Sequence, residues 1–127
     1  MKLNSILLFS ENPKPLQEFY KKVLNMDYDY QNGEYADFNT GGAYLEIGPH
    51  TKVHGKSQSP ERILLNFHVD DVKKEFDRIK NLGVKVIQEV YVPKEDTRLE
   101  IATFEDPEGN YFQIMTDWTK LPPQEAK

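Results

Sequence analysis

Residues 3–9 are an almost unbroken apolar run, long enough for a buried strand and too short for a helix. The polar stretch Asn12-Pro13-Lys14-Pro15 then predicts a helix start, because Asn can cap free N–H groups and Pro is tolerated in a first turn. Leu16, Phe19, Tyr20, Val23 and Leu24 follow at helical spacing and make one apolar face. Asn25 supplies a left-handed stop. Residues 28–30 and 35–38 are strand-like, with Asn32-Gly33 between them as a hairpin turn. Thr40-Gly41-Gly42 turns the chain again into a strand over 43–47, so the first half is predicted as strand, helix and three strands.

The second half repeats that order. Residues 63–69 predict a strand, Asp70-Asp71 places negative charge at a helix N-terminus, and Val72, Phe76, Ile79 and Leu82 give the helical apolar face, ended by Gly83. Residues 84–92 and 99–104 are strand-like, and Asp106-Pro107-Glu108-Gly109-Asn110 is a tight turn into a strand over 111–115. The segments Gly42-Ala43-Tyr44-Leu45-Glu46-Ile47 and Gly109-Asn110-Tyr111-Phe112-Gln113-Ile114 share Gly, Tyr, an acidic or amide residue, and Ile at one fixed offset, which supports a duplicated module. Merely similar Gly turns before alternating strands would be the alternative. The expected organisation is one domain over 1–127, with module 1 over about 1–50, a linker over about 50–61, module 2 over about 62–118, and a frayed tail over 119–127.

A chain of 127 residues with 38% apolar content is one domain long and can close a core. Its net charge of -5, with acidic and basic residues interleaved, argues against nucleic acid as a partner and favours a cationic or neutral ligand over an anionic one. The absence of cysteine removes disulfides, thiolate metal sites and cysteine nucleophiles. No run reaches the length of a membrane span and no signal-peptide pattern opens the chain, so a soluble cytoplasmic protein without membrane partners is expected.

Three segments in order carry a resemblance to a known family: Phe9-Ser10-Glu11 through Phe19-Tyr20 to Leu24-Asn25-Met26, then Val69-Asp70-Asp71-Val72 to Leu82-Gly83-Val84, then Phe104-Glu105-Asp106-Pro107-Glu108-Gly109-Asn110. Together they resemble the glyoxalase, bleomycin-resistance and dioxygenase (vicinal oxygen chelate) superfamily over nearly the whole chain. The resemblance implies an α+β fold in which two tandem βαβββ modules build a curved eight-stranded mixed sheet. That sheet would be an incomplete barrel with the helices outside and a cup inside. It also implies a homodimer, which would protect the sheet edges.

Many members of that family hold a divalent ion through four side chains from the first and last strands of each module. Carried over by register, those positions fall at Asn4 (with Ser5 one residue away), Glu46, Leu64 and Gln113. Leu64 cannot coordinate and Asn4 offers only an amide oxygen, so no metal cofactor is expected. His68 shares the parity of Leu64 and Asn66 and could serve as a ligand, a general base or a plain pocket residue. The spacing of Glu46, His50 and His54 imitates helical metal ligands, but Gly48, Pro49 and Gly55 would break such a helix.

Strand alternation places Tyr44, Glu46, Tyr111, Gln113 and Met115 on the cup side, with Asn4, Ile6, Leu8, Leu64, Asn66 and His68 joining by the same register. This mixture of aromatic and aliphatic walls with few polar groups suits a small organic ligand. The expected function is metal-free binding of an organic ligand, cationic or neutral, with Glu46 as the central residue. An alternative is a lyase, isomerase or dioxygenase-like enzyme in which Glu46, with His68, does the chemistry beside a divalent metal.

Overall fold

A computed structural model of the chain describes residues 1–123. The chain divides into two units, 1–57 and 58–127, each built on one module, and the division falls inside the expected linker. The first unit runs β1 (Ser5–Ser10), α1 (Pro13–Leu24), β2 (Tyr30–Asn32), β3 (Tyr35–Asn39) and β4 (Tyr44–Pro49). The second runs β5 (Leu65–Val69), α2 (Val72–Asn81), β6 (Lys85–Tyr91), β7 (Ile101–Glu105) and β8 (Tyr111–Thr116), followed by a 3-10 turn, Trp118–Lys120. The architecture is α+β, and the eight strands form two four-stranded mixed sheets of orders β1-β4-β3-β2 and β5-β8-β7-β6.

In each sheet the first strand pairs in parallel with the last, while the remaining neighbours pair antiparallel. A parallel neighbour requires a crossover, and α1 and α2 lie on those crossovers. One face of each sheet meets its helix. In the first unit Leu16, Tyr20 and Val23 of α1 are buried with Ala36, Phe38, Leu45 and Ile47. In the second, Val72, Phe76 and Ile79 of α2 are buried with Leu65, Phe104, Phe112 and Ile114. Phe76, Phe104 and Phe112 are in serial ring contact, with centroids 5.5 and 5.4 Å apart.

The helix ends show how local chemistry sets boundaries. Asn25 ends α1 in the left-handed conformation, φ 51° and ψ 48°, as expected. Asn12, however, makes no side-chain cap. Pro15, at the third helical position, removes one of the two N–H groups that such a cap would bind. The Asn12 N–H instead donates to Ser10 Oγ at 2.9 Å. At α2, Asp71 caps normally by accepting from the Lys74 N–H at 3.1 Å. Gln17, buried in α1, donates both amide hydrogens to main-chain carbonyls, of Glu34 at 2.7 Å and of Ile47 at 2.8 Å, and so fastens the helix to β4 and to the hairpin.

The first residues of the expected tail over 119–127 are part of a turn. Thr119 and Lys120 belong to the 3-10 turn, which Asp117 caps through the Thr119 N–H at 3.0 Å and Lys120 ties to Asp70 at 2.9 Å. Residues 124–127 of that tail lie outside the described residues. Among the described residues no helix is long and apolar enough to cross a membrane.

The turn into β8 is closed by two backbone hydrogen bonds, Asp106 N–H to the Asn110 carbonyl at 2.8 Å and Gly109 N–H to the Asp106 carbonyl at 3.1 Å, and by the Asp106 carboxylate. Asp106 is buried, and its Oδ1 accepts from the Glu108 N–H at 2.8 Å and the Asn110 N–H at 3.0 Å, while Asn110 Nδ2 donates to Oδ2 at 3.0 Å. Asp106→Ala is therefore expected to lower unfolding free energy by about 2–3 kcal/mol, the scale of lost hydrogen bonds to a charged group with donors left unsatisfied. Urea denaturation followed by circular dichroism checks this, and a loss below about 0.5 kcal/mol would contradict the account.

Candidate functional site

Strand pairing decides which side chains share the sheet face opposite each helix. In the first unit Leu7 lies beside Glu46, Glu46 opposite Asp37, and Asp37 opposite Tyr30, so one row crosses four strands. The flanking row is Ser5, Tyr44 and Asn39. The expectation for β1 is thereby corrected. Ile6 and Leu8 pair with Leu45 and Ile47 and belong to the helix-side face, and Asn4 precedes the strand with their parity. Its carbonyl accepts from the Tyr44 N–H at 2.9 Å. Ser5, Leu7 and Phe9 are the β1 residues that share the face of Glu46.

Asp37 was not foreseen. It stands directly across from Glu46, which sets two carboxyl groups side by side on one face of the sheet. Burial, and after it the charge and hydrogen bond of Asp37, push the Glu46 carboxyl above its ordinary value. Tyr35 adds a ring on the same face at Gly48, where a Cβ would come within 2.2 Å of it. The loop histidines do not join this group. His54 pairs with Glu11 at 3.3 Å, while His50 contacts the Phe9 ring at 5.2 Å and accepts from the Lys52 N–H at 3.0 Å.

In the second unit the corresponding row carries no charge: Asn66 beside Gln113, Gln113 opposite Thr103, and Thr103 opposite Gln88. His68 lies beside Met115, which is opposite Ile101, and Tyr111 is opposite Glu105. Leu64 precedes β5 with the parity of Asn66 and His68. Asn66, His68, Tyr111, Gln113 and Met115 thus share a face, as the alternation predicts. His68 Nδ1 stands 3.3 Å from Asp117 Oδ1, a partner beyond the strand that periodicity does not show.

Residues 2–114 match the glyoxalase/bleomycin resistance protein/dioxygenase superfamily. The chain belongs to that superfamily. It is 32% identical to the uncharacterized protein YraH of Bacillus subtilis (strain 168), over 90% of this chain and 97% of that protein. Its fold matches a glyoxalase/bleomycin resistance protein/dioxygenase family enzyme from Burkholderia phytofirmans PsJN, with a TM-score of 0.73 at 20% identity over 91% of this chain and 98% of that one. It also matches the fosfomycin resistance protein FosX from Listeria monocytogenes, with a TM-score of 0.71 at 18% identity over 91% and 93% of the two chains.

The superfamily's metal positions can be tested against these side chains. With the β1 register corrected, they fall at Ser5, Glu46, Leu64 and Gln113, a set with one carboxylate, one hydroxyl, one amide and one hydrocarbon. That donor chemistry does not fit a resident divalent ion. Among the described residues no three His, Cys, Asp or Glu side chains gather as a metal-holding group.

The Asp37–Glu46 pair has a signature in stability. Because the folded-state value of Glu46 lies above its ordinary 4.5, ionising it costs the folded protein. Its contribution is fully present below pH 4.5 and is lost as pH rises through the raised folded value. Glu46→Gln removes the penalty, so the variant should melt above the wild type at pH 7, with the difference closing as pH falls toward 4.5. Thermal melts across that range test the sign, and a variant less stable than wild type at pH 7 would contradict it.

Proposed function

We propose that this chain is a small-molecule-binding member of the superfamily, works without a resident metal, and holds the cationic group of an organic ligand at Asp37 and Glu46. The observation that carries the reading is the direct opposition of two carboxyl groups on the sheet face away from the helix. Their mutual repulsion is relieved either by a shared proton or by a cation, so the two compete for the pair. An ammonium group satisfies both carboxylates, and Tyr30 and Tyr44 on the same face offer ring surfaces that attract it further. The chain's overall negative charge favours the same ligand class. FosX, a fosfomycin resistance protein, shares the fold, which suits a reading in which the module takes up small molecules.

The test is calorimetry with a panel of aromatic and aliphatic ammonium compounds. Affinity for the best binder should rise with pH as Glu46 loses its proton, and should fall by about 1.5–3 kcal/mol in Glu46→Gln or Asp37→Asn, the range for hydrogen bonds to charged groups. An unchanged affinity in both variants defeats the assignment. Titration with Zn, Ni or Mn should show no site tighter than about micromolar, and a tight one-to-one isotherm abolished by Glu46→Ala would restore a metal to the site.

We also propose a homodimer. The strands β2 and β6 end their sheets, and exposed apolar side chains mark β6 and the residue after it, with Tyr91 and Val92 at 41% and 52% exposure. Bare edges of this kind favour a covering partner. Light scattering at micromolar concentration should return twice the chain mass of 14.8 kDa, and monomer mass alone removes the proposal.

A further inference from the structure

The second unit contains a side-chain cluster that the ammonium reading does not use. His68 stands on the sheet face shared by Asn66, Gln113 and Met115, at the end of β5. Its Nδ1 is 3.3 Å from Asp117 Oδ1, and its ring meets the Trp118 indole edge-on, with centroids 5.8 Å apart at 74°. The His68 side chain makes no other hydrogen bond, ion pair or ring contact among the described residues, so Nε2 has no protein partner there.

Asp117 is itself fixed. Its carboxylate accepts from the N–H and the hydroxyl of Thr119, which, ahead of the charges of His68 and Lys120 and against the effect of burial, hold it below the usual carboxylate value. Lys120 lies 3.9 Å from Asp117 and 2.9 Å from Asp70, so the turn carrying Trp118 is fastened at both ends to the chain around β5. In the neutral imidazole an anionic group beside Nδ1 favours the tautomer with its proton on that nitrogen, which leaves Nε2 as a hydrogen-bond acceptor. Trp118, 54% exposed and in ring contact with His68, supplies polarizable surface beside the imidazole, and Met115 is the neighbour of His68 in the strand pairing.

We propose that His68, Asp117 and Trp118 form a second recognition site, which takes a neutral planar ring bearing a hydrogen-bond donor, with a phenol as the simplest case. The donor meets His68 Nε2 and the ring lies against Trp118. Asp117 is a positioning residue that acts through the imidazole. The residues of this site all belong to the second unit.

Trp118 is the only tryptophan of the chain, so its indole N–H gives a single cross-peak in a nitrogen-15 spectrum. Titration of the whole protein with phenol should shift that peak saturably. Anisole, which has the ring and no donor, should bind about tenfold more weakly, the worth of one hydrogen bond. His68→Leu should bring the two probes to equal affinity, while His68→Gln, which keeps an acceptor at the same reach, should retain part of the preference. Asp117→Asn should reduce the phenol preference severalfold with anisole binding unchanged, which a merely structural role would not produce. The proposal is overturned if neither probe shifts the peak, if wild-type protein binds phenol and anisole alike, or if His68→Leu keeps the preference. Circular dichroism melts of each variant ensure that the comparison is made on folded protein.

Discussion

The parallel ladder between the first and last strands of each module governs where every other side chain points. In a parallel pair, residues side by side share a face, so one register assignment sets the parity of two strands together. Leu7 beside Glu46 fixes the first sheet and Asn66 beside Gln113 fixes the second. The antiparallel neighbours β3 and β7 then inherit their phase from β4 and β8. A slip of one residue in either ladder would exchange the buried face for the exposed one, carrying Glu46 into a layer that contains Phe38 and Ile47. The hydrophobic packing against α1 and α2 prevents that slip, and in this way the core determines the chemistry of the opposite face.

Much of this order was legible in the sequence. Helix α1 was marked by the spacing of Leu16, Tyr20 and Val23 and by Asn25, and α2 by Val72, Phe76 and Ile79 with Asp71 before them. The parity of β4, β5 and β8 could be read because polar and apolar residues alternate there. In β1 it could not. Ile6, Leu7, Leu8 and Phe9 are apolar in succession, so the strand has a period but no visible phase, and only its pairing with β4 assigns Leu7 rather than Ile6 to the face of Glu46.

Asp37 and Asp117 escaped for different reasons. Asp37 sits in a strand with Tyr35 and Phe38 and carries no local signal of its own, yet antiparallel pairing counted outward from the Thr40-Gly41-Gly42 turn leads to Asn39 opposite Tyr44 and then Asp37 opposite Glu46. The information was present in the turn rather than in the residue. Asp117 follows the last strand, where periodicity ends, and its position near His68 depends on the 3-10 turn that Thr119 and Lys120 complete. A single polar residue before such a turn gives no hint of which strand it will approach.

The manner in which α1 is held bears on how such a module can change over generations. Gln17 spends both amide hydrogens on carbonyls of the main chain, at Glu34 and Ile47, and so recognises no side chain at either place. Main-chain carbonyls are supplied by any residue, so the bolt between helix and sheet is indifferent to sequence drift on the strands it grips. Side chains on the far face, such as Leu7, Asp37, Tyr44 and Glu46, can be exchanged one at a time without loosening that bolt. The scaffold thereby leaves its lining free to vary, and relatives with the same frame can diverge in what they recognise.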